Sequence, residues 1–221
     1  GVYNPSLSKL QAIESSVKIS SMSEKDDLDE VIASLENEND VTLVGTHLED
    51  NLISNIKSNN NSHPVLNIGL PAKLKVAKYD RLNSILEEGV DIIVAGVSSV
   101  GIEWFVKQIT KSYKKNTPII LLTKGLAIED NELITLSDKI KKLLKDQGHT
   151  DVNISAIKGP CLAAGLAYKM RTGTVIANPD IKETEKLKKI ISTNYYSTEV
   201  SDDLTGIELS GAIKNIYSML I

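Results

Sequence analysis

The sequence of 221 residues predicts an α/β fold built on a mostly parallel, doubly wound sheet. From about Asp40 onward, short apolar runs rich in β-branched residues alternate with amphipathic stretches at helical spacing. Aromatic residues make up only 4% of the chain, so the core must come from Ile, Leu, Val and Ala, as buried parallel strands require. The hydrophobic fraction of 41% is enough to form such a core.

The elements can be assigned in chain order from these periodicities. Six apolar runs predict strands, namely Asp40–Gly45, Leu74–Ala77, Val90–Val97, Pro118–Leu122, Val152–Ile157 and Thr172–Ala177. Helical spacing predicts helices over Arg81–Glu88, Gly101–Lys111, Asn131–Lys145, Ile181–Ile191 and Leu204–Ile221. The polar stretch Ser58–Asn67 predicts a loop, and Tyr195-Tyr196 should pack just before a last strand. Strands and helices in alternation predict right-handed crossovers and a sheet covered on both faces.

Composition excludes several classes of protein. The net charge is −4 with the two signs interspersed, which argues against a nucleic-acid-coating surface. The single Cys161 excludes an internal disulfide and a cysteine-cluster metal site, and we predict no metal. No apolar run approaches the roughly 20 residues that span a bilayer, and the start lacks the pattern of a secretion signal. We therefore expect a cytoplasmic protein.

Ligands of open parallel sheets bind where the strands end, so the residues after each strand are candidates. These are Gly45-Thr46-His47, Ser98-Ser99, Thr123-Lys124-Gly125 and Lys158-Gly159-Pro160-Cys161. Lys124 places a cation beside a glycine, although a solvated surface lysine fits the same pattern. Gly159-Pro160 predicts a helix through Leu162–Met170 whose first N–H groups could hold an anion, although a plain strand–helix connection fits equally.

Lys214 is the second candidate for chemistry. Its helical neighbours Ser210, Gly211 and Ser218 are all small and predict a groove around its amine. A lysine that loses water in such a groove can accept a proton near neutral pH. A separate stripe is predicted to be the apolar face, formed by Leu209, Ile213, Ile216 and Leu220. The alternative is a lysine on the solvated face of an amphipathic helix.

Three motifs occur in a fixed order along the chain, TKG at Thr123–Gly125, GPCLA at Gly159–Ala163 and DLTGIELSGAIKN at Asp203–Asn215. Together with DVTLVG at Asp40–Gly45, they resemble the NAD(P)-dependent glycerol-3-phosphate dehydrogenases over roughly residues 30–221. The resemblance implies a Rossmann-like dinucleotide-binding domain over residues 1–202. It also implies that residues 203–221 are the first helix of an all-helical substrate domain, which we expect to continue past Ile221.

The resemblance also implies the reaction and the residues that carry it. The family interconverts sn-glycerol 3-phosphate and dihydroxyacetone phosphate by hydride transfer with NAD or NADP, and so feeds glycerophospholipid synthesis. Lys214 matches the proton acceptor, and Lys124 matches the lysine that contacts both cofactor and substrate. Two further positions match cofactor contacts, Ser98 and Ala163. Three match substrate contacts, Gly159, Cys161 and Asn215.

The sequence departs from the family where the glycine-rich phosphate loop should stand. Counting back from Asp40–Gly45 puts the first strand at Val17–Ser20 and the three glycine positions near Met22, Glu24 and Asp27. Carboxylates there would repel a pyrophosphate, and the segment would form a capped helix instead. Either dinucleotide binding is lost, or the N-terminus shown is not the family's native one. Gly165 also stands where the family usually carries a glutamate.

Three functions are therefore compared. The first is an active dehydrogenase, and the second is a non-catalytic or truncated member that lacks dinucleotide binding. The third, a related reductase of the ketopantoate type, is disfavoured by the Gly-x-Glu-x-x-x-Ala-x-Lys-Asn run. Gly45-Thr46-His47 carries no acid at the end of its strand, which argues against strict NAD use. The apolar residues Met219, Leu220 and Ile221 predict association, and we expect a homodimer.

Overall fold

The computed structural model describes residues 17–20, 39–64, 68–161, 165–166 and 168–219, with the backbone alone at 17–20 and 215–219. Its strands are β1 Val17–Ser20, β2 Val41–Val44, β3 Ser62–His63, β4 Ile68–Gly69, β5 Lys75–Ala77, β6 Ile93–Ala95, β7 Ile119–Leu121, β8 Leu126–Glu129, β9 Glu132–Thr135, β10 Ile154–Lys158, β11 Thr172–Ala177 and β12 Tyr196–Ser201. Its α-helices are α1 Asp50–Ser58, α2 Leu82–Glu88, α3 Ile102–Ile109, α4 Leu136–Asp146, α5 Ile181–Ile191 and α6 Leu204–Met219.

One large sheet organises the fold. Its eight strands lie in the order β12-β11-β10-β7-β6-β1-β2-β5, and every pair is parallel except β10 with β11. The six predicted strands are confirmed. Four have somewhat shorter bounds, Thr172–Ala177 has the predicted bounds, and the strand predicted over Val152–Ile157 is shifted to Ile154–Lys158. The strand counted back to Val17–Ser20 is also present, between β2 and β6. The predicted mostly parallel α/β sheet is thus confirmed.

Both faces of the sheet are covered, as the alternation of strand and helix predicts. Along β7, Ile120 packs into one hydrophobic cluster, whereas Ile119 and Leu121 pack into the other. This follows from the period of two along a strand. Helices α1 and α5 contribute to the first cluster, and α2, α3 and α4 contribute to the second. The sheet is therefore doubly wound.

Two predicted elements were wrong in part. The helix predicted from Asn131 begins only at Leu136, because residues 126–135 form the hairpin of β8 and β9. Its turn residues Asp130 and Asn131 have φ of 51° and 65°, which Asp and Asn tolerate better than other side chains. The predicted loop at residues 58–67 contains β3, which pairs with β4, although residues 65–67 lie outside the described part.

The helix predicted after Gly159-Pro160 is described only at residues 165–166. It does not reach Met170, because Tyr168 and Lys169 form a turn and Lys169 has a φ of 55°. The prediction of a final long helix is confirmed by α6, and Ile181–Ile191 is helical over the predicted bounds. Among the described residues, none of the helices is both long enough and apolar enough to span a membrane.

His63 in β3 gives the fold a pH dependence. Its side chain is only 3% exposed, and burial lowers the pKa of its imidazole below the ordinary value. The unfolded chain therefore binds the proton more readily, so the free energy of unfolding should fall as the pH drops below about 6.5. Urea unfolding at about pH 7.5 and pH 5.5 should show this loss, and His63→Gln should reduce it. The exposed His47 is the control, and an equal pH dependence in His63→Gln and His47→Gln would contradict the prediction.

Candidate active site

The parallel strands β6, β7 and β10 end side by side. Ala95 is paired with Leu121, and Leu121 is paired with Ala156, so the segments that follow these strands start from one edge of the sheet. Open α/β sheets bind their ligands at this edge. We refer to this edge, with the segments 97–101, 123–125 and 158–161, as the sheet mouth.

The segments after β6 and β7 are tied together. The buried Thr123 hydroxyl donates a hydrogen bond of 2.6 Å to the Val97 carbonyl oxygen. Gly125 has a φ of 130°, which side chains rarely adopt, and a Cβ on it would lie 3.3 Å from the Cβ of Ser99. The structure therefore brings the predicted residues Ser98 and Lys124 into neighbouring segments, and both are partly exposed.

The close approach of strand β11 leaves no room for a side chain at Gly159. A Cβ at this position would lie 2.8 Å from the Gly173 carbonyl oxygen and 2.9 Å from the Thr174 Cα, both of which are backbone atoms of β11. The predicted substrate contact at Cys161 is 6% exposed, and its thiol lies 3.3 Å from the Thr172 hydroxyl and 3.5 Å from the Gly173 carbonyl oxygen. The Cys161 side chain thus packs against β11.

Helix α6 lies against the sheet mouth with a face other than the predicted apolar one. It packs on β10 and β11 and on the β8–β9 hairpin. The buried residues of its first turns are Leu204 and Glu208, whereas Leu209 is 40% exposed and Ser210 is exposed. The stripe predicted to start at Leu209 is therefore wrong in this part of the helix. A carboxylate takes the inner position because it finds hydrogen-bond donors there.

Those donors belong to the first turn of α4. Glu208 is 1% exposed and accepts hydrogen bonds from the Ser137 backbone N–H, at 3.1 Å, and from the Ser137 hydroxyl. The first N–H groups of a helix lack partners within it, and the helix dipole favours a negative charge there. Glu208 therefore anchors α6 to α4. In the sequence, Glu208 was noted only as part of the motif Asp203–Asn215. Its position among small and apolar residues was the signal that could have indicated a buried carboxylate.

Lys158, the last residue of β10, was named among the strand-end candidates, but sequence reasoning gave it no role. It is 5% exposed, and its Nζ donates to the carbonyl oxygens of Leu121 and Leu122, at 3.0 and 3.2 Å. A Cβ on Gly211 would lie 2.9 Å from the Lys158 Cδ, so the Lys158 stem fills the space that Gly211 leaves. The Lys158 stem therefore occupies the part of the predicted Lys214 groove that lies at Gly211. The signal was a lysine that ends an otherwise uncharged strand.

The two predicted catalytic lysines lie on elements that pack together. Lys214 is half-buried and follows Gly211 by one helical turn, on the same side of α6. Lys124 is also half-buried and precedes β8, which α6 contacts. The Ala163 position and the Asn215 side chain lie outside the described part, as do Met22, Glu24 and Asp27.

An aromatic group lies beyond the end of β2. The His47 ring is 5.0 Å from the Trp104 ring and 6.2 Å from the Tyr79 ring, centroid to centroid. His47 is exposed, and its ring is tilted by 41° to the Trp104 ring and lies edge-on to the Tyr79 ring. Glu49 follows His47 in the chain. Its carboxylate accepts a 2.7 Å hydrogen bond from the Thr46 N–H, and burial raises the pKa of the Glu49 carboxyl. The nearest acid after β2 is thus engaged with the backbone.

The open, mostly parallel sheet and its double winding define a protein of the Rossmann-like α/β class. A family model described as NAD-dependent glycerol-3-phosphate dehydrogenase N-terminus matches residues 30–184. The chain belongs to this family.

Individual relatives agree with this assignment. The NADP(+)-dependent glycerol-3-phosphate dehydrogenase of Archaeoglobus fulgidus is 31% identical over 187 residues, which are 85% of this chain and 54% of that protein. The glycerol-3-phosphate dehydrogenase [NAD(P)+] of Mesoplasma florum is 33% identical over 132 residues, which are 60% of this chain and 39% of that protein. The chain thus spans about half or less of the length of these curated relatives.

Solved structures share the fold. The crystal structure of glycerol-3-phosphate dehydrogenase from Coxiella burnetii superimposes with a TM-score of 0.78 at 21% identity, over 92% of this chain and 59% of that one. The glycerol-3-phosphate dehydrogenase of Plasmodium falciparum gives a TM-score of 0.78 at 19% identity, over 98% of this chain and 60% of that one. At these identities the likeness establishes the fold.

Proposed function

We propose that the protein is an oxidoreductase that interconverts sn-glycerol 3-phosphate and dihydroxyacetone phosphate by hydride transfer with NAD or NADP. One observation carries the proposal: the helix of Lys214 packs against the hairpin that follows Lys124, at the mouth of a parallel sheet. Membership of the glycerol-3-phosphate dehydrogenase family supports it, as does the similarity to the glycerol-3-phosphate dehydrogenases of Archaeoglobus fulgidus and Mesoplasma florum.

The proposal divides the chain as the sequence resemblance implies. Residues 1–202 form the dinucleotide-binding domain, and residues 203–221 form the first helix of a helical substrate domain. The aromatic group around His47 and the polar segments at the sheet mouth suit a dinucleotide. Bound NAD or NADP supplies the hydride chemistry, and the protein supplies binding and orientation. We assign cofactor contacts to Ser98, Lys124 and Ala163.

Lys214 takes the proton in this scheme. In the oxidation direction, the C2 hydrogen of glycerol 3-phosphate would leave with its electron pair for the oxidised coenzyme, and the hydroxyl proton would move to the Lys214 Nζ as the carbonyl forms. Lys124, as a cation, stabilises the negative charge that develops on the oxygen. We assign the remaining substrate contacts to Gly159, Cys161 and Asn215. Because the Cys161 side chain packs against β11, its backbone is the part that we assign to the substrate.

Coenzyme binding tests the proposal. NADPH should bind saturably, and more tightly than NADH, because the acid after β2 is engaged with Thr46 instead of facing a ribose hydroxyl. Lys124→Met should weaken binding by about tenfold, since it removes a cation that we assign as a contact of the coenzyme. Lys57→Met on the exposed side of α1 is the matched control. Calorimetry that detects no binding to a protein with a native circular dichroism spectrum would instead support the non-catalytic alternative.

The homodimer, the cytoplasmic location and the supply of glycerol 3-phosphate to lipid synthesis stay predictions of the sequence. Size-exclusion chromatography with light scattering measures the first of them directly.

A further inference from the structure

We infer that Lys158 is a positioning residue that holds the Lys124 segment and the Lys214 helix in one arrangement. The inference rests on the proposed function, because positioning has meaning only for a reaction at the sheet mouth. Lys158 itself is not assigned to touch substrate or coenzyme. Lys158 acts on the position of these residues through two contacts, one with the segment before Lys124 and one with helix α6.

The first contact is made by the ammonium group. Nζ of Lys158 donates to the carbonyl oxygens of Leu121 and Leu122, which lie where β7 ends and the segment that carries Lys124 begins. Lys124 follows two residues later. Two charge-assisted hydrogen bonds fix the directions of these carbonyl groups and hence the path of the backbone that leaves the sheet.

The second contact is made by the aliphatic stem. The Cδ and Cγ atoms of Lys158 lie 2.9 and 3.1 Å from where a Cβ of Gly211 would stand. The helix can approach β10 this closely only because residue 211 has no side chain. Lys214 comes one turn later on the same side of α6. The contact between Gly211 and the Lys158 stem therefore sets how closely Lys214 approaches the sheet mouth.

The choice of lysine is informative because a buried ammonium is costly. Moving a positive charge out of water is unfavourable unless hydrogen bonds compensate for it, and Lys158 is 5% exposed. A methionine would pack against Gly211 as well, without that cost. The hydrogen bonds to the carbonyl oxygens of Leu121 and Leu122 offset part of this cost and are what the ammonium contributes beyond packing.

Lys158→Met tests this inference because it keeps the stem and removes the ammonium. We expect kcat to fall by about 30-fold, while the dissociation constant of NADPH changes by less than about threefold, since small displacements of catalytic groups are costly to rate. Lys158→Arg keeps the charge and should recover part of kcat. Amide hydrogen exchange should be at least about tenfold faster at residues 122–125 in Lys158→Met, and this readout does not depend on activity.

A second variant addresses the same link from the helix side. Gly211→Ala should push α6 away from the Lys158 stem and lower kcat while residues 122–125 keep their exchange protection, because the ammonium still reaches the carbonyl groups. Lys57→Met on α1 is the control and should change neither quantity.

The outcomes separate this inference from the proposed function. Unchanged exchange at residues 122–125, or faster exchange with unchanged kcat, would overturn the positioning role and leave the dehydrogenase proposal intact. Absence of turnover and coenzyme binding in the wild-type protein would overturn the proposed function, and the inference would fall with it. Faster exchange together with a kcat loss that Lys158→Arg recovers supports both.

Discussion

Lys214→Ala is expected to lower kcat for dihydroxyacetone phosphate reduction by at least about a thousandfold, because the reaction loses the group that exchanges the hydroxyl proton. The dissociation constant of NADPH should change by less than about threefold, because the assigned coenzyme contacts lie on other elements. Steady-state kinetics and coenzyme titration on the complete protein measure the two quantities. Lys214 is only half-buried, so its removal should leave the fold intact.

The matched control for this experiment is Lys57→Ala, an exposed lysine on α1 that lies outside the sheet mouth. It should leave both quantities at wild-type values. Turnover of Lys214→Ala within about tenfold of wild type would remove Lys214 from the mechanism, since loss of a general base costs more than that.

Gly159→Ala is expected to lower the free energy of unfolding by about 2 kcal/mol, within the range for overpacking a close-packed site. The added methyl group would lie 2.8 Å from the Gly173 carbonyl oxygen and 2.7 Å from the Thr174 Cγ2. Because two of the three nearest atoms belong to the backbone of β11, no side-chain rotation can relieve the clash. Urea unfolding at neutral pH measures the change.

Gly69→Ala is the control, since a Cβ at Gly69 meets nothing within 4 Å. It should change the unfolding free energy by less than about 0.5 kcal/mol, as surface substitutions usually do. Equal stability of the two variants would mean that β11 can move away from β10, and the close approach at Gly159 would then not be a constraint.

The sheet could be predicted from the sequence because buried strands and amphipathic helices leave different periods. Ile181–Ile191 was predicted with its observed bounds, since Leu187, Ile190 and Ile191 repeat at helical spacing and face the core. The helix predicted from Asn131 failed because Leu133 and Ile134 fit both periods. The turn at Asp130-Asn131, which decides between them, depends on positive φ angles that a pattern of apolar residues does not encode.

The candidate site could be predicted only where it follows the strand ends. Ser98 and Lys124 were found this way, because parallel strands end on a common edge. Glu208 was not singled out, and Lys158 was named only as a strand-end residue, because their roles depend on how α6 docks against β10 and α4, which no local pattern determines. Sequence reasoning recognised that Gly211 leaves space on the helix, but it could not show that Lys158 fills it.

The anchoring of α6 through Glu208 has a geometric consequence for precision. A helix rises 1.5 Å per residue, so Lys214 stands only about 9 Å along the axis from Glu208 and about 4.5 Å from Gly211. With such a short lever arm, a 5° tilt about Glu208 would displace the Lys214 backbone by about 0.8 Å. The precision with which the Lys214 amine is positioned therefore depends on the hydrogen bonds between the buried Glu208 carboxylate and Ser137.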